Sequence, residues 1–577
     1  MSRPMSASAL ALALVPVLGL CACEGRNLGI SPVGQGLYFP AAMTLDPRVP
    51  DGTAARWLMV ANANSALNYN AGSLVAVDLD RFFNAWMNCA DLCLLGTDDG
   101  TCSAEAKADP CGVKPTVRDV GEDVEREAPC RHVAFRPQVI ECEDTFMLAE
   151  QERGLVSVRM GSFISALRGY VEQPGSGEAL LLASVKADPS ITWIDLKGGL
   201  EPFDAAEPYA PTDLSFGCGQ PDPDLDDPGR CSRTTHTLRF PFDDQDYPRI
   251  GPEPTNILVS KYAPWAYVTF STTPEVILID LQAKNTGPLD RATKPMIVDA
   301  RNIFIFGNQA SGGGWGLAER PCVEGEAPSI TNDCTRPLLY GAFRTNLLLA
   351  RMFPDTVDPL TYADAIAALE QQKMGADPAE MAAIDKEIEH LQSLKQTCLD
   401  GDGVGEEGEI LCDPQLFFAG FARAAGFDIN GNGSLGDIAF SRDGKRLFVV
   451  QSAPASLVYV DTSVTERGEV RDQAAGVVEL CGGPTAMRLF EDDANEYAAV
   501  TCPTPSELFI VDLSGFRVVA NVPTGAGPYP IVFDRVRRLL YVGNTLDRTI
   551  SVIDIAQDRP TRFAEIARVG LQTPYKR

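Results

Sequence analysis

The sequence predicts an all-β chain folded as a single β-propeller, on three observations. A strand-ending motif of the form apolar-Asp-apolar recurs along the chain, a second β-type run precedes each copy, and the clearest copies are spaced like four-stranded blades. The motif stands at Val75-Ala76-Val77-Asp78-Leu79, Thr192-Trp193-Ile194-Asp195-Leu196, Leu278-Ile279-Asp280-Leu281, Val458-Tyr459-Val460-Asp461, Phe509-Ile510-Val511-Asp512-Leu513 and Ser551-Val552-Ile553-Asp554-Ile555. The partner runs lie at 57–61, 180–184, 266–270, 447–451, 497–502 and 539–544. Each pair reads as a hairpin, and a terminal aspartate suits it because a carboxylate accepts hydrogen bonds from the exposed amides of the next turn.

The last two copies display the whole unit as four strand-like runs, at 485–490, 497–502, 507–513 and 517–524, then at 529–534, 539–544, 549–555 and 562–569. Asp461 and Asp512 are 51 residues apart, and Asp512 and Asp554 are 42 apart, against the ~40 to 50 residues of a four-stranded blade. A lone blade leaves both faces greasy, so blades must stack about an axis and close. Two less regular copies, 146–158 with Arg159 at the aspartate position and 338–351 with no aspartate, bring the count to eight. Seven blades are expected, with one irregular copy a loop hairpin. The run at 41–45 is of the innermost-strand type, so the two ends of the chain should share a blade or meet at its boundary.

These residues carry a family resemblance. Tyr541-Val542-Gly543-Asn544 followed by Ile550-Ser551-Val552-Ile553-Asp554 resembles the YVTN-type β-propeller repeat, whose fingerprint reads Tyr-Val-Thr-Asn. The resemblance is specific over 436–569 and weak elsewhere, and Gly543 stands where the motif has threonine.

Such a ring needs about 300 residues, which leaves over 200 of the 577 for insertions. Segments 80–131 and 203–251 are rich in Asp, Pro, Gly and Cys without sustained periodicity, and read as disulfide-pinned loops on one rim. Between 358 and 396 the period becomes helical. Asp377-Pro378-Ala379-Glu380 reads as an N-terminal cap ahead of Met381, Ile384, Ile388, Leu391 and Leu394 on one face, and 362–374 supplies a partner helix. The expected organisation is a signal segment over 1–22, N-terminal blades over 23–356, a helical insertion over 357–435 and C-terminal blades over 436–577.

Arg3 followed by the apolar stretch 7–20 reads as an export signal, too short to span a bilayer comfortably. Leu18-Gly19-Leu20-Cys21-Ala22-Cys23 resembles the lipobox of bacterial lipoproteins. Cys23 fits the lipidated position better than Cys21, because small Ala22 precedes it and Leu20 stands three before. The resemblance implies a lipid anchor in the cell envelope, and Glu24 after it suits the outer membrane of a Gram-negative bacterium. Setting aside Cys21 and Cys23 leaves an even fourteen of the 16 cysteines, as an oxidising compartment favours. Close pairs are Cys218 with Cys231, Cys322 with Cys334, Cys398 with Cys412 and Cys481 with Cys502, while the six from Cys89 to Cys142 allow fifteen pairings. Zinc and haem spacings are absent.

A net charge of −29 opposes nucleic acid phosphates, so no nucleic-acid partner is expected. Asp428-Ile429-Asn430-Gly431-Asn432-Gly433-Ser434 matches the start of a calcium loop, with oxygen ligands at alternate positions. Ala439 stands where the closing Glu belongs, so Asp437 or an outside carboxylate would complete the set. Asp400-Gly401-Asp402 opens a looser copy, and a helix over 414–425 between the two would give an arrangement resembling an EF-hand pair. The competing reading is a turn cluster leading into a blade. Gly431-x-Gly433-x-x-Gly436 precedes a strand instead of joining strand to helix, which argues against dinucleotide binding. His132, His236 and His390 read as structural or solvent-facing.

No catalytic signature stands out. The expectation is therefore a lipid-anchored, extracytoplasmic, noncatalytic scaffold for a protein, glycan or small molecule, with membrane contact through the anchor alone. The alternatives are a propeller enzyme of lactonase or quinoprotein type with a central metal or cofactor, and a calcium-stabilised structural component of an envelope complex.

Overall fold

The apolar-Asp-apolar runs form the third strand of their blades and the runs ahead of them the second, paired antiparallel throughout. In five of the six copies the aspartate accepts a hydrogen bond from a backbone amide two or three residues further on. The donors are Arg81 to Asp78 (3.0 Å), Gln282 to Asp280 (2.9 Å), Ser463 to Asp461 (2.9 Å), Ser514 to Asp512 (2.9 Å) and Ala556 to Asp554 (3.0 Å). Asp195 instead meets His236 Nε2 at 3.2 Å and Arg291 Nη1 at 2.5 Å.

The computed structural model describes residues 36–89, 116–219, 230–238, 253–303, 313–322, 332–373, scattered positions in 378–392, 415–423 and 434–571, with short gaps inside these spans. They form an all-β, seven-bladed propeller of antiparallel sheets. Blade 1 is Pro40–Leu45, Trp57–Asn62, Gly72–Asp78 and Ser157–Met160. Blade 2 is Ile164–Tyr170, Ala179–Val185, Ser190–Lys197 and Ser215–Gly217, with Thr237–Leu238 also on its third strand. Blade 3 is Pro254–Val259, Trp265–Phe270, Glu275–Lys284 and Thr293–Asn302. Blade 4 is Gly314–Glu319, Leu339–Phe343, Leu348–Asp355 and Gln415–Arg423. Blade 5 is Ser434–Phe440, Arg446–Ala453, Ala455–Asp461 and Gln473–Glu479. Blade 6 is Met487–Glu491, Glu496–Cys502, Glu507–Asp512 and Arg517–Pro523. Blade 7 is Pro528–Asp534, Leu539–Asn544, Thr549–Asp554 and Ala564–Val569.

Seven is the expected number, and the irregular copies divide as anticipated. Residues 338–351 fall on the second and third strands of blade 4, whereas 146–158 make no blade: Asp144–Met147 is a short helix and Ser157–Met160 only the outer strand of blade 1. Each first strand touches that of the next blade, and the strand of blade 7 touches that of blade 1, which closes the ring. The first described strand, Pro40–Leu45, and the last blade meet at a blade boundary without sharing a blade. A strand inserted within blade 1, Arg136–Cys142, runs parallel to Ala564–Val569 and carries Cys130–Val133 outside it, so blade 7 has six strands.

Among the described residues there is no single central core. Each seam between successive blades holds its own apolar cluster, such as Leu180, Leu182 and Trp193 of blade 2 against Val268, Ile277 and Ile279 of blade 3. Second strands are packed on both faces, and Trp57–Asn62, Ala179–Val185 and Leu539–Asn544 are buried at every position. Burying a Val, Leu or Ile contributes about 1.5–3 kcal/mol, a gain that exists only once a neighbouring blade is present.

Three expectations are corrected. Leu79–Cys89, read as loop, is a helix, because Leu79, Phe82, Phe83 and Trp86 share one face, with Leu79 and Phe82 inside the seam of blades 7 and 1. Residues 414–425, read as helix, form the strand Gln415–Arg423, whose Phe417 stacks on Phe353 of the neighbouring strand. The flanking loops therefore do not sit in a helix-loop-helix pair. The insertions do not decorate one rim either: Ser215–Gly217 cuts through 203–251, leaving part of it after a third strand and part between blades, on opposite faces. The expected partner helices are seen in Pro359–Lys373 and in helical positions between 378 and 392, joined by an ion pair of Lys373 with Asp385. Disulfides join Cys218 to Cys231, Cys322 to Cys334 and Cys481 to Cys502, as spacing suggested, and Cys130 to Cys142 among the six left open. Cys398 and Cys412 lie outside the described residues. The four disulfides among the described residues fit an oxidising, extracytoplasmic environment. Among the described residues no helix is long and apolar enough to cross a membrane.

Candidate axial binding site

Seven first strands surround the propeller axis, and six of them slip register near their beginning. The slips fall at Pro40/Ala42, Ile164/Ala166, Pro254/Asn256, Gly314/Leu317, Leu435/Ile438 and Pro528/Ile531. A bulge bends its strand and re-aims the side chains it carries. Trp315, Asp437 and Tyr529 all lie within these slips, on blades 4, 5 and 7.

The ring geometry makes contacts between distant blades diagnostic of the axis. Trp315 and Tyr529 meet edge to face with ring centroids 6.5 Å apart, although blades 4 and 7 are not neighbours. Lys186, in the turn after the second strand of blade 2, places Nζ 5.4 Å from the Trp315 ring. These three residues gather at the end of the channel where the first strands begin.

Beyond them, Arg168 of blade 2, Asp437 of blade 5 and Arg488 of blade 6 fall within one another's electrostatic reach, and Tyr529 within that of Arg168. Arg168 donates to its own strand at Leu167 O (2.9 Å) and to Asn256 Oδ1 of blade 3 (3.3 Å). Asp437 accepts the Ile438 amide at 3.0 Å and, across the seam, the Met487 amide at 3.2 Å. Arg488 is exposed to solvent, yet protein surrounds it, as expected of a side chain in a water-filled channel. Among the described residues no acceptor bonds its guanidinium.

Burial shifts all three charged groups. It lowers Arg168, against the pull of the Asp437 carboxylate and of Tyr529, and it lowers Arg488, where the like charge of Arg168 adds to the effect and Asp437 opposes it. Burial raises Asp437 above the ordinary carboxylate range, although the Met487 amide, Arg168, the Ile438 amide and Arg488 all pull it down. Two guanidinium groups thus lie within electrostatic reach of one carboxylate, without an ion pair to it, in a protein whose formal charge is −29.

Of the sequence-predicted site residues, Ser434 opens the first strand of blade 5 and Asp437 follows on the same strand, facing the channel charges. Asp428, Asn430, Asn432, Cys21 and Cys23 lie outside the described residues, as does His390. His236 is structural: it stacks on Trp193 at 4.0 Å and bonds Thr235 Oγ1 (3.0 Å) and Asp195. Among the described residues no three His, Cys, Asp or Glu side chains gather to hold a metal ion. The sequence reading missed Arg168, Arg488, Trp315 and Tyr529. The available signal was a charged or aromatic residue inside a short first-strand run, as in Ile164-Ser165-Ala166-Leu167-Arg168. A separate open groove of about 440 Å³ at the seam of blades 2 and 3 is lined by Tyr170, Lys261, Tyr262 and Gln282.

Fold and site together define a seven-bladed β-propeller with a charged axial channel. No family model matches the chain, and no curated protein matches it. Among solved structures it is similar to a protein from Lactobacillus plantarum, at 11% identity and a TM-score of 0.38, over 85% of this chain and 86% of that one. It is also similar to hydrazine synthase from Kuenenia stuttgartiensis, at 12% identity and a TM-score of 0.40, over 92% of this chain and 99% of that one. Likeness this loose does not bear on function.

Proposed function

We propose that the chain is a lipid-anchored binding scaffold outside the cytoplasm, noncatalytic, which presents its axial face and insertions to a protein, glycan or small-molecule partner. The observation that supports binding is the channel lining. Arg168, Arg488, Asn256, Trp315 and Tyr529 are groups that hold and orient a ligand, and the one carboxylate among them, Asp437, already accepts two backbone amides. Hydrogen-bond donors of this kind recognise a partner without a nucleophile and base to transform it. The disulfides support the extracytoplasmic setting. Cross-linking in intact envelopes, followed by purification of this chain, tests the scaffold: recurrent recovery of one partner is expected, and repeated recovery of none contradicts it. For the anchor, Cys23→Ala should release the protein into the soluble fraction, whereas Cys21→Ala should not.

Calcium at Asp428, Asn430, Asn432 and Ser434, with Asp437 or an outside carboxylate, is a separate proposal that would brace the approach to blade 5. A melting temperature raised by millimolar calcium and unresponsive in Asp428→Ala is its expected signature. An unchanged melting temperature in the native chain removes it.

A further inference from the structure

The axial charges are out of balance. Arg168 spends donors on Leu167 O and Asn256 Oδ1. Arg488 spends none on the described residues, although a guanidinium carries five N–H groups in a fixed fork. Asp437 answers both cations and divides its oxygens between the amides of Ile438 and Met487. Two guanidinium groups face one carboxylate whose oxygens already accept two amides, and the exposed Arg488 keeps its donors open, so a channel of this composition favours the entry of an anion. The long-range field of a −29 chain repels anions, so the attraction must be local to the channel.

The mouth adds a second element of recognition. Trp315 and Tyr529 reach across the axis from blades 4 and 7, with Lys186 against the outer ring. Their partly exposed faces offer an apolar surface next to the guanidinium groups. An occupant needs an oxyanion at one end and a flat or apolar body at the other.

We propose that the axial channel binds a small organic acid, with its carboxylate between Arg168 and Arg488 and its apolar body against Trp315 and Tyr529. This rests on the scaffold reading only in taking the axial face as the face that meets a ligand. Titration calorimetry on the full chain in detergent micelles tests it, with benzoate as probe, acetate as the acid without a ring and benzyl alcohol as the ring without a charge. Saturable 1:1 binding of benzoate is expected, weaker binding of acetate and none of benzyl alcohol.

The variants separate recognition from damage. Arg488→Gln should weaken benzoate about tenfold or more, in line with the loss of a charge-assisted hydrogen bond. It should leave the melting temperature unchanged, because the side chain donates to no described group. Asp437→Asn keeps an acceptor for one of the two amides, of Ile438 and Met487, and removes the competing charge, so it should tighten benzoate. Trp315→Ala should weaken benzoate and spare acetate. Absence of saturable benzoate binding overturns the proposal, and so does a shift of Arg488→Gln and Asp437→Asn in the same direction. A partner cross-linked equally by the native chain and Arg488→Gln would leave the scaffold standing while these titrations fail.

Discussion

Arg136 Nη1 lies 2.6 Å from Glu565 Oε2, tying a strand inserted within blade 1 to the last strand of the ring. Glu565 also accepts from Arg568 Nη2, at 2.9 Å and 3.0 Å for its two oxygens, and from Ser551 Oγ at 2.5 Å. Its side chain is wholly buried and that of Arg568 nearly so. One carboxylate therefore satisfies two cations where the insertion lies parallel to Ala564–Val569. Glu565→Gln leaves both guanidinium groups facing a neutral amide, and a loss of about 3–5 kcal/mol is expected in urea unfolding. An unchanged midpoint would mean that the carboxylate does not hold the insertion in place.

Gly543 stands where the repeat it resembles has threonine, and the packing explains the departure. A Cβ added there would lie 2.6 Å from Pro530 Cγ and 3.1 Å from the Pro40 carbonyl oxygen, at the boundary of blades 7 and 1. Restoring the motif with Gly543→Thr should destabilise the protein by about 1–3 kcal/mol, the usual cost of overpacking. Thermal unfolding checks this, and a higher melting temperature would contradict it.

Acid should expose the strand-end aspartates. Burial pushes the Asp512 carboxyl up, but the Ser514 hydroxyl, the amides of Ser514 and Gly515, and Arg517 outweigh it and hold the group below its ordinary value. Because the folded value is depressed, its stabilisation is complete above the unfolded value of about 3.9 and fades as pH falls through the folded one. Asp512→Asn should melt below the native chain at pH 7, with the gap shrinking as the buffer is taken below about pH 3. A gap that widens in acid would have the wrong sign.

The disulfide between Cys481 and Cys502 pins the link after blade 5 to the second strand of blade 6, across a separation of 21 residues. Closing a loop of that length contributes about 3 kcal/mol through the unfolded chain. Replacing both cysteines by alanine should lower the unfolding free energy by about that amount in nonreducing buffer, and a loss near zero would argue that the blades hold the link unaided.

Second and third strands were legible because each carries its own signal, a buried apolar run and an aspartate answering the next turn. The fourth blade hid because the run Leu348-Leu349-Ala350 of its third strand is followed by Arg351 in place of aspartate, and Arg351 pairs with Asp472 of blade 5. The Arg136–Cys142 addition to blade 7 joins partners more than four hundred residues apart, which no local pattern announces. The axial residues were hidden for a related reason. The side chains come singly from different blades, and Trp315, Asp437 and Tyr529 lie within register slips. Asp437 was singled out for its oxygens, while its neighbours Arg168 and Arg488 become visible only when blades 2, 5 and 6 face one axis.

Ring closure is the claim on which the channel and its charges depend, and a distance across the closing boundary tests it most directly. Asp51 and Arg535 are exposed residues in the first turns of blades 1 and 7, near the contact of Arg537 with Ala55 O at 2.8 Å. Spin labels introduced at both through an unnatural amino acid, which spares the disulfides, should report a single short distance on the order of 20 Å by pulsed electron resonance, since neighbouring sheets pack about 10 Å apart. A distance of about 60 Å, the span of an open row of blades at that packing, would contradict the closed propeller.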